Sequence, residues 1–278
     1  MPALALVGST TQDVVSEPGG SVQRRPGGSP LFAIQALVDA GFAAGIATRC
    51  SDARLLASLV PLARPLCARL DPTQVISVLS YREDGERDHW FAEVGPAWTG
   101  DDVETWAAPA LKDARWVHAG TQRGADLSGE AVAALRSGGR RIALDAQGPL
   151  RQPHAGPVQL SDRFDPELLA AVQVLKLGEE EALAAYGTCD AVDIAQRCGV
   201  PEVLVTLGRR GSRIAAGEDV GELGADVVED VQPTGAGDAF LALYMAAREG
   251  DAAPLDAARR ATDGVAGLLR RRKAKAAV

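Results

Sequence analysis

Aromatic residues are scarce: Phe, Trp and Tyr together make up 4% of the 278 residues. That argues against a surface built to stack nucleobases, although Tyr81, Trp90 and Phe91 lie close together in the chain. Cysteine is also rare. Cys50, Cys67, Cys189 and Cys198 form no C-x-x-C pair and fit no common zinc spacing, so they read as buried or incidental thiols of a reducing compartment. No apolar run reaches the roughly 18 to 20 residues of a membrane span. The opening MPALALVGSTTQD has no basic segment and too short an apolar run for a secretory signal, so a cytoplasmic location is expected. An excess of positive charge is missing too. At −8 the chain is not expected to bind nucleic acid or an anionic membrane. The basic run Arg270-Arg-Arg-Lys-Ala-Lys275 reads as a frayed, solvated helix end. No G-x-G-x-x-G follows the first strand candidate, which weakens a dehydrogenase reading. No repeat or low-complexity linker divides the chain, so residues 1–278 are expected to form a single domain.

What is present is aliphatic. Hydrophobic residues make up 46% of the chain, enough for a sizeable core. Short β-like runs at 4–8, 45–49, 115–120, 141–148, 173–178 and 203–208 alternate with helical patterns at 29–41, 52–63, 102–113 and 128–137. Apolar, unalternating strands separated by helices predict an α/β fold with a mainly parallel sheet covered on both faces. Residues 74–94 break the rhythm and read as two strands around Asp84-Gly85. The stretch from Asp13 to Gly28 is too long for a plain βα loop. Either these form a β-rich flap, spanning about 10–28 and 73–98, or the second is an ordinary surface hairpin.

The most informative stretch is VQPTGAGDAF at 231–240. Two glycines in a first helical turn should cost about 1 kcal/mol each against alanine. With Thr234 as the expected N-cap, the leading amides belong to Gly235, Ala236, Gly237 and Asp238. Glycines let an anion approach such amides, and the helix dipole favours it. Phe240, Leu243, Tyr244 and Ala247 follow as a buried stripe. Asp238 would repel that anion unless it has a task. It either steadies the helix start or accepts a proton from a substrate hydroxyl beside a transferring phosphoryl group.

PTGAGDAF closely resembles the C-terminal signature of the PfkB, or ribokinase-like, family of sugar and nucleoside kinases. Further elements follow the family's order: Gly8 and Asp13 in VGSTTQD, the diglycine Gly27-Gly28 after Pro26, Lys176-Leu-Gly-Glu-Glu-Glu181 for its N-x-x-E region, and Thr206-Leu-Gly-Arg-Arg-Gly211 for its T-x-G-x-x-G loop. The resemblance implies a three-layer αβα core with a small β lid. It implies ATP with Mg²⁺ as donor and a polyol hydroxyl as acceptor. Asp238 would be the catalytic base, and the amides of Gly235, Ala236 and Gly237 the anion hole. Glu181 would help position Mg²⁺ through water. Thr206, Gly208, Gly211 and Thr234 would line the nucleotide pocket. Asp13, Gly27 and Gly28 would hold the acceptor, and the lid could pair with another lid in a homodimer.

Three positions depart from the pattern: Gln232 stands for the usual Asp, Gly178 for the Asn of N-x-x-E, and Phe32 near where an Asn follows the diglycine. The last argues against ribose and fructose. Asp145-Ala-Gln-Gly-Pro-Leu-Arg151 is similar to the D-x-Q-G/A-x-x-R of the family's inositol kinases, which adds Asp145 and Gln147 as readers of vicinal hydroxyls. The acceptor expectation is therefore myo-inositol or a sugar. A nucleoside kinase, and a degenerate protein that binds sugar or nucleotide without turnover, stay open beside it.

Overall fold

The computed structural model describes residues 3–17, 19–71, 73, 75–83 and 87–276. In chain order its strands are β1 (Leu4–Ser9), β2 (Thr11–Ser16), β3 (Val22–Gly27), β4 (Gly45–Cys50), β5 (Leu66–Leu70), β6 (Ile76–Tyr81), β7 (Arg87–Glu93), β8 (Trp116–Gly120), β9 (Arg141–Asp145), β10 (Gly156–Pro157), β11 (Val174–Gly178), β12 (Glu202–Thr206), β13 (Ser212–Ala216) and β14 (Asp219–Leu223). The helices are α1 (Ser29–Asp39), α2 (Ala53–Leu56), α3 (Gly100–Glu104), α4 (Ala108–Leu111), α5 (Gly129–Arg136), α6 (Pro166–Ala170), α7 (Glu179–Tyr186), α8 (Ala191–Cys198), α9 (Ala236–Glu249) and α10 (Pro254–Ala276).

A nine-stranded sheet runs in the order β14-β13-β12-β11-β9-β8-β1-β4-β5. It is parallel from β12 to β5, and β13 and β14 close it as an antiparallel edge. Side chains of a strand alternate between faces. Leu4 and Leu6 thus join the core beneath α1, α9 and α10, while Ala5 and Val7 join the core beneath α3 to α8. Both faces are dry, which is why these strands read as unbroken apolar runs. Helix α9 packs against α1, α10 and the sheet, so Ala239 through Ala247 are all buried and its apolar surface is not confined to one stripe.

A second, five-stranded sheet has the order β10-β7-β6-β2-β3. The chain passes from β1 into β2 with one intervening residue, Thr10, and returns along β3 directly into α1. The predicted hairpin is β6 with β7; its expected turn at Asp84-Gly85 lies outside the described residues. The strands β5, β10 and β14 have no counterpart in the sequence reading. β5 is half-exposed to exposed and its short apolar sequence is interrupted by Arg69, and β10 is only two residues long. Two helical patterns form shorter helices than their spacing predicts. The 102–113 pattern is split into α3 and α4, with Pro109 in the first turn of α4, where a proline belongs rather than in a helix interior. The 52–63 pattern contracts to α2 and irregular turns ahead of Pro61. No helix among the described residues is long and apolar enough to cross a membrane.

Candidate active site

The parallel strands deliver their C-terminal ends to one place. β9 ends at Asp145, and β11 sets Lys176 in register beside it. Lys176 Nζ lies 3.2 and 3.0 Å from the two Asp145 carboxylate oxygens. The pair is buried, with side-chain exposures of 6% and 5%. Two residues on, Gly178 starts α7, and Glu181 folds back to accept from the Gly178 amide. A Cβ at Gly178 would sit 3.1 Å from the Glu181 carboxylate. The missing side chain therefore lets Glu181 close on its own helix start.

The first turn of α9 meets this pair. A Cβ on Gly237 would lie 2.8 Å from Lys176 Nζ, so only glycine leaves the ammonium its place. Asp238, half-buried, follows on the next residue. Burial and the Asp145 charge push its carboxyl up to about 6, while the Ser29 hydroxyl, Lys176 and Arg151 pull the other way. Burial alone would drive the Lys176 ammonium down, but Asp145, Glu181 and Asp238 together hold it above its ordinary value. Glu181 is raised, chiefly by burial, with Lys176 opposing. One ammonium thus stands among three carboxylates, with the Arg151 guanidinium close by.

The helix start itself differs from the sequence expectation. Gly235, not Thr234, is the N-cap, in a left-handed conformation at φ 77°. A Cβ there would fall 2.3 Å from Phe32 Cγ, so the ring lies directly on the glycine. Thr234 Oγ1 makes no cap and is buried without a partner among the described residues. The Ala236 amide is not free for an anion, since it donates to the Pro233 carbonyl at 2.9 Å. The turn Pro233–Ala236 consumes it, which leaves Gly235 and Gly237 as the glycine amides of the run.

On the smaller sheet, Asp13 is buried and accepts from Thr11 Oγ1 at 2.8 Å. Its carboxylate lies over Gly27, where a Cβ would sit 2.2 Å from an oxygen. Gly28 takes φ 96° and a Cβ on it would strike the Ser9 carbonyl, so β3 turns sharply into α1. That turn carries Ser29, whose buried hydroxyl biases Asp238 toward the ionised form. Gln147 touches the cluster through its backbone N–H, which donates to Asp145 Oδ1 at 3.0 Å. Thr206, Gly208 and Gly211 form the β12–β13 turn. Thr206 Oγ1 donates to Leu177 O at 3.2 Å, and Gly208 and Gly211 both have positive φ. An Arg209–Glu229 ion pair at 2.6 Å ties that turn to the segment leading into the glycine run.

The sequence reading overlooked Lys176, Ser29 and His118 as members of this centre. Lys176 had a signal: an ionisable residue inside the apolar strand Val174–Gly178 needs a buried partner. His118 is fully buried, with neither ring nitrogen partnered among the described residues. Burial pulls it down to about 4, with Asp145 opposing and Lys176 adding to the fall. In the basic C-terminal run Arg270, Arg271, Lys273 and Lys275 are exposed, as expected of a solvated helix end, but Arg272 differs. Arg272 is half-buried, and its Nη1 donates to the Thr234 carbonyl at 2.7 Å. The guanidinium lies 5.9 Å from the Phe32 ring centre. Packing of α10 along α9 brings the end of that helix back over the glycine run.

Residues 154–274 match the model of the pfkB family carbohydrate kinases. No curated protein sequence matches the chain. Among solved structures, a pyrophosphate-dependent kinase in the ribokinase family, in a sulfate complex, has a TM-score of 0.82 at 18% identity, covering 96% of this chain and 95% of its own. A pyrophosphate-dependent kinase of the same family, with a pyrophosphate analog and myo-inositol, gives 0.81 at 17% identity over 99% and 100%. Ribokinase of Arabidopsis thaliana, with ribose and ATP, gives 0.72 at 20% identity over 94% and 90%. The carbohydrate-kinase family model thus matches the C-terminal part of the chain, and the chain as a whole has the ribokinase-like fold.

Proposed function

We propose that this chain moves the terminal phosphoryl group of a phosphate donor onto a hydroxyl of a polyol, with myo-inositol or a related cyclitol as the leading acceptor. One observation carries the reading: a carboxylate poised near pH 6 stands in the first turn of α9, directly after the glycine run and beside a buried ammonium. Above about pH 6 Asp238 is ionised, so it can take the acceptor's hydroxyl proton at neutral pH. The hydroxyl oxygen then bonds to phosphorus as the bond to the leaving phosphate breaks. The Gly235 and Gly237 amides and Lys176 hold the negative charge on the transferring group. Asp13, beside Gly27, and Asp145 offer acceptor oxygens for vicinal hydroxyls. The smaller sheet, bearing Asp13, acts as the lid over them, and Thr206, Gly208 and Gly211 border the nucleotide.

Mg²⁺ fits only as a companion of the donor. Among the described residues no group of three or more His, Cys, Asp and Glu could hold a metal ion. Mg²⁺ bound mainly by phosphates and water needs just one or two carboxylates, and Glu181 would reach it through water. When bound it neutralises phosphate charge.

The donor read from the sequence is ATP. Pyrophosphate is a second reading, favoured by the pyrophosphate-dependent kinases of similar fold, one of which is described with myo-inositol. The test is phosphate transfer by purified protein with Mg²⁺ and either ATP or pyrophosphate, across myo-inositol, other cyclitols, pentoses, hexoses and nucleosides. A hit that disappears in Asp238→Asn supports the reading. Transfer that persists in the variant removes Asp238 from the chemistry. Binding without turnover across the panel favours the non-catalytic alternative.

A further inference from the structure

Two arginines from distant parts of the chain converge on the segment that leads into α9. Arg25 lies on β3, opposite Asp13 in the β2–β3 register. Directly opposed residues of antiparallel strands share a face, so Arg25 is on the Asp13 face of the smaller sheet. Its Nη1 donates to Gln232 Oε1 at 3.4 Å. Its Nη2 is buried and has no partner among the described residues. From α10, Arg272 reaches the same segment two residues on, at the Thr234 carbonyl. Its neighbours in the basic run pair with acids: Arg270 with Asp226, Arg271 with Asp39 and Lys273 with Asp230. Arg272 bonds a neutral carbonyl instead, with Asp39 only near enough to help its charge.

The two guanidiniums also feel each other. Burial, and the nearby charge of Arg25, hold Arg272 below its usual range. On the segment they both reach, Thr234 Oγ1 is buried and unpartnered among the described residues. Like charges converging on buried, unsatisfied donors are costly, and an anion relieves that cost. Gln232 adds no negative charge of its own there. Its amide accepts from Arg25 and donates to Glu17 at 3.2 Å, where an aspartate would add a second anion next to Glu17.

We propose that Arg25 and Arg272, with Thr234, form a clamp for the phosphoanhydride of the donor. The clamp would draw affinity from phosphate charge rather than from a nucleoside, and so would accept inorganic pyrophosphate. Arginine suits this role because its planar fork matches phosphate oxygens. A clamp on a strand of the smaller sheet and on α10 also links donor binding to the seating of that sheet over the core. This inference rests on the phosphotransfer reading above.

The test is titration of the full chain with pyrophosphate and Mg²⁺, without acceptor, followed by calorimetry, and a parallel series with ATP. Arg25→Met is the primary variant, since it keeps the aliphatic stem on a half-exposed strand position; Arg272→Met and Arg25→Lys accompany it, each checked by thermal melting. Loss of a charge-assisted contact should weaken pyrophosphate binding about tenfold or more in each Met variant, with Arg25→Lys in between. The donor KM should rise while the acceptor KM holds. Arg25→Met binding pyrophosphate as tightly as the parent would overturn the clamp and leave the kinase reading intact. A rise confined to the KM of a phosphorylated acceptor would overturn it too, by assigning the arginines to the other substrate. A parent protein that binds neither pyrophosphate nor ATP would defeat the phosphotransfer reading itself.

Discussion

Consider removal of the ammonium at the centre of the site, Lys176→Met. The parent places Nζ 3.0 Å from Asp145 in a nearly solvent-free pair. Breaking such a pair from one side leaves a buried charge, at a cost of about 3–5 kcal/mol. That is a large share of a domain stability of roughly 5–15 kcal/mol. Asp145→Asn removes the opposite charge and should also destabilise. The double variant should recover much of the loss, because neither charge is then stranded. The two single variants differ in a sharper way. Lys176 lowers the Asp238 pKa and Asp145 raises it. The acidic limb of kcat/KM, near pH 6 in the parent, should therefore move up in Lys176→Met and down in Asp145→Asn. A shift of order one pH unit corresponds to about 1.4 kcal/mol of interaction. Urea denaturation gives the stabilities, and initial rates from pH 5 to about 9 give the limbs. Limbs moving in the same direction, or not moving, would refute the electrostatic account of Asp238.

Three further outcomes follow from the geometry. Asp238→Asn should cut kcat by several orders of magnitude while the fold survives. It should also raise stability above pH 6: a carboxyl whose pKa is raised on folding favours the folded state below its unfolded value near 4 and loses that advantage as pH rises through about 6; equal denaturation midpoints at pH 8 would count against this. Gly237→Val should displace Lys176, since even a Cβ falls 2.8 Å from Nζ, and unchanged donor kinetics would undo the anion cradle. Asp102 makes the contrasting case. Buried with Arg49 at 2.5 Å and Trp106 Nε1 at 2.9 Å, it is held down to about 2 because its hydrogen bonds to Trp106, Thr99 and Arg49 outweigh burial. Its stability contribution is complete above pH 4 and lost as pH falls through about 2, and Asp102→Ala should cost about 3 kcal/mol or more without altering the KM of a surviving enzyme.

Much of this was legible in the chain itself. Unbroken apolar strands such as Leu4–Ser9 required a sheet covered on both faces, and the glycine run announced a helix start. Those are local properties, set by side-chain volume, backbone freedom and period. Local patterns did not decide where the N-cap falls, because Phe32 from α1 and the Pro233 carbonyl set the turn that makes Gly235 the cap. Nor did they reveal Lys176 as the charge at the centre, since its importance comes from Asp145, 31 residues earlier and one strand away. Arg272 shows the same limit most plainly. By sequence it belongs to a solvated basic tail, and only the packing of α10 along α9 carries it back to the glycine run. The sequence by itself determined the layers and the presence of a helix behind the glycine run, through short-range sterics and hydrophobic burial. The tertiary structure decided which charges face one another, because electrostatic partners depend on distance in space and not along the chain.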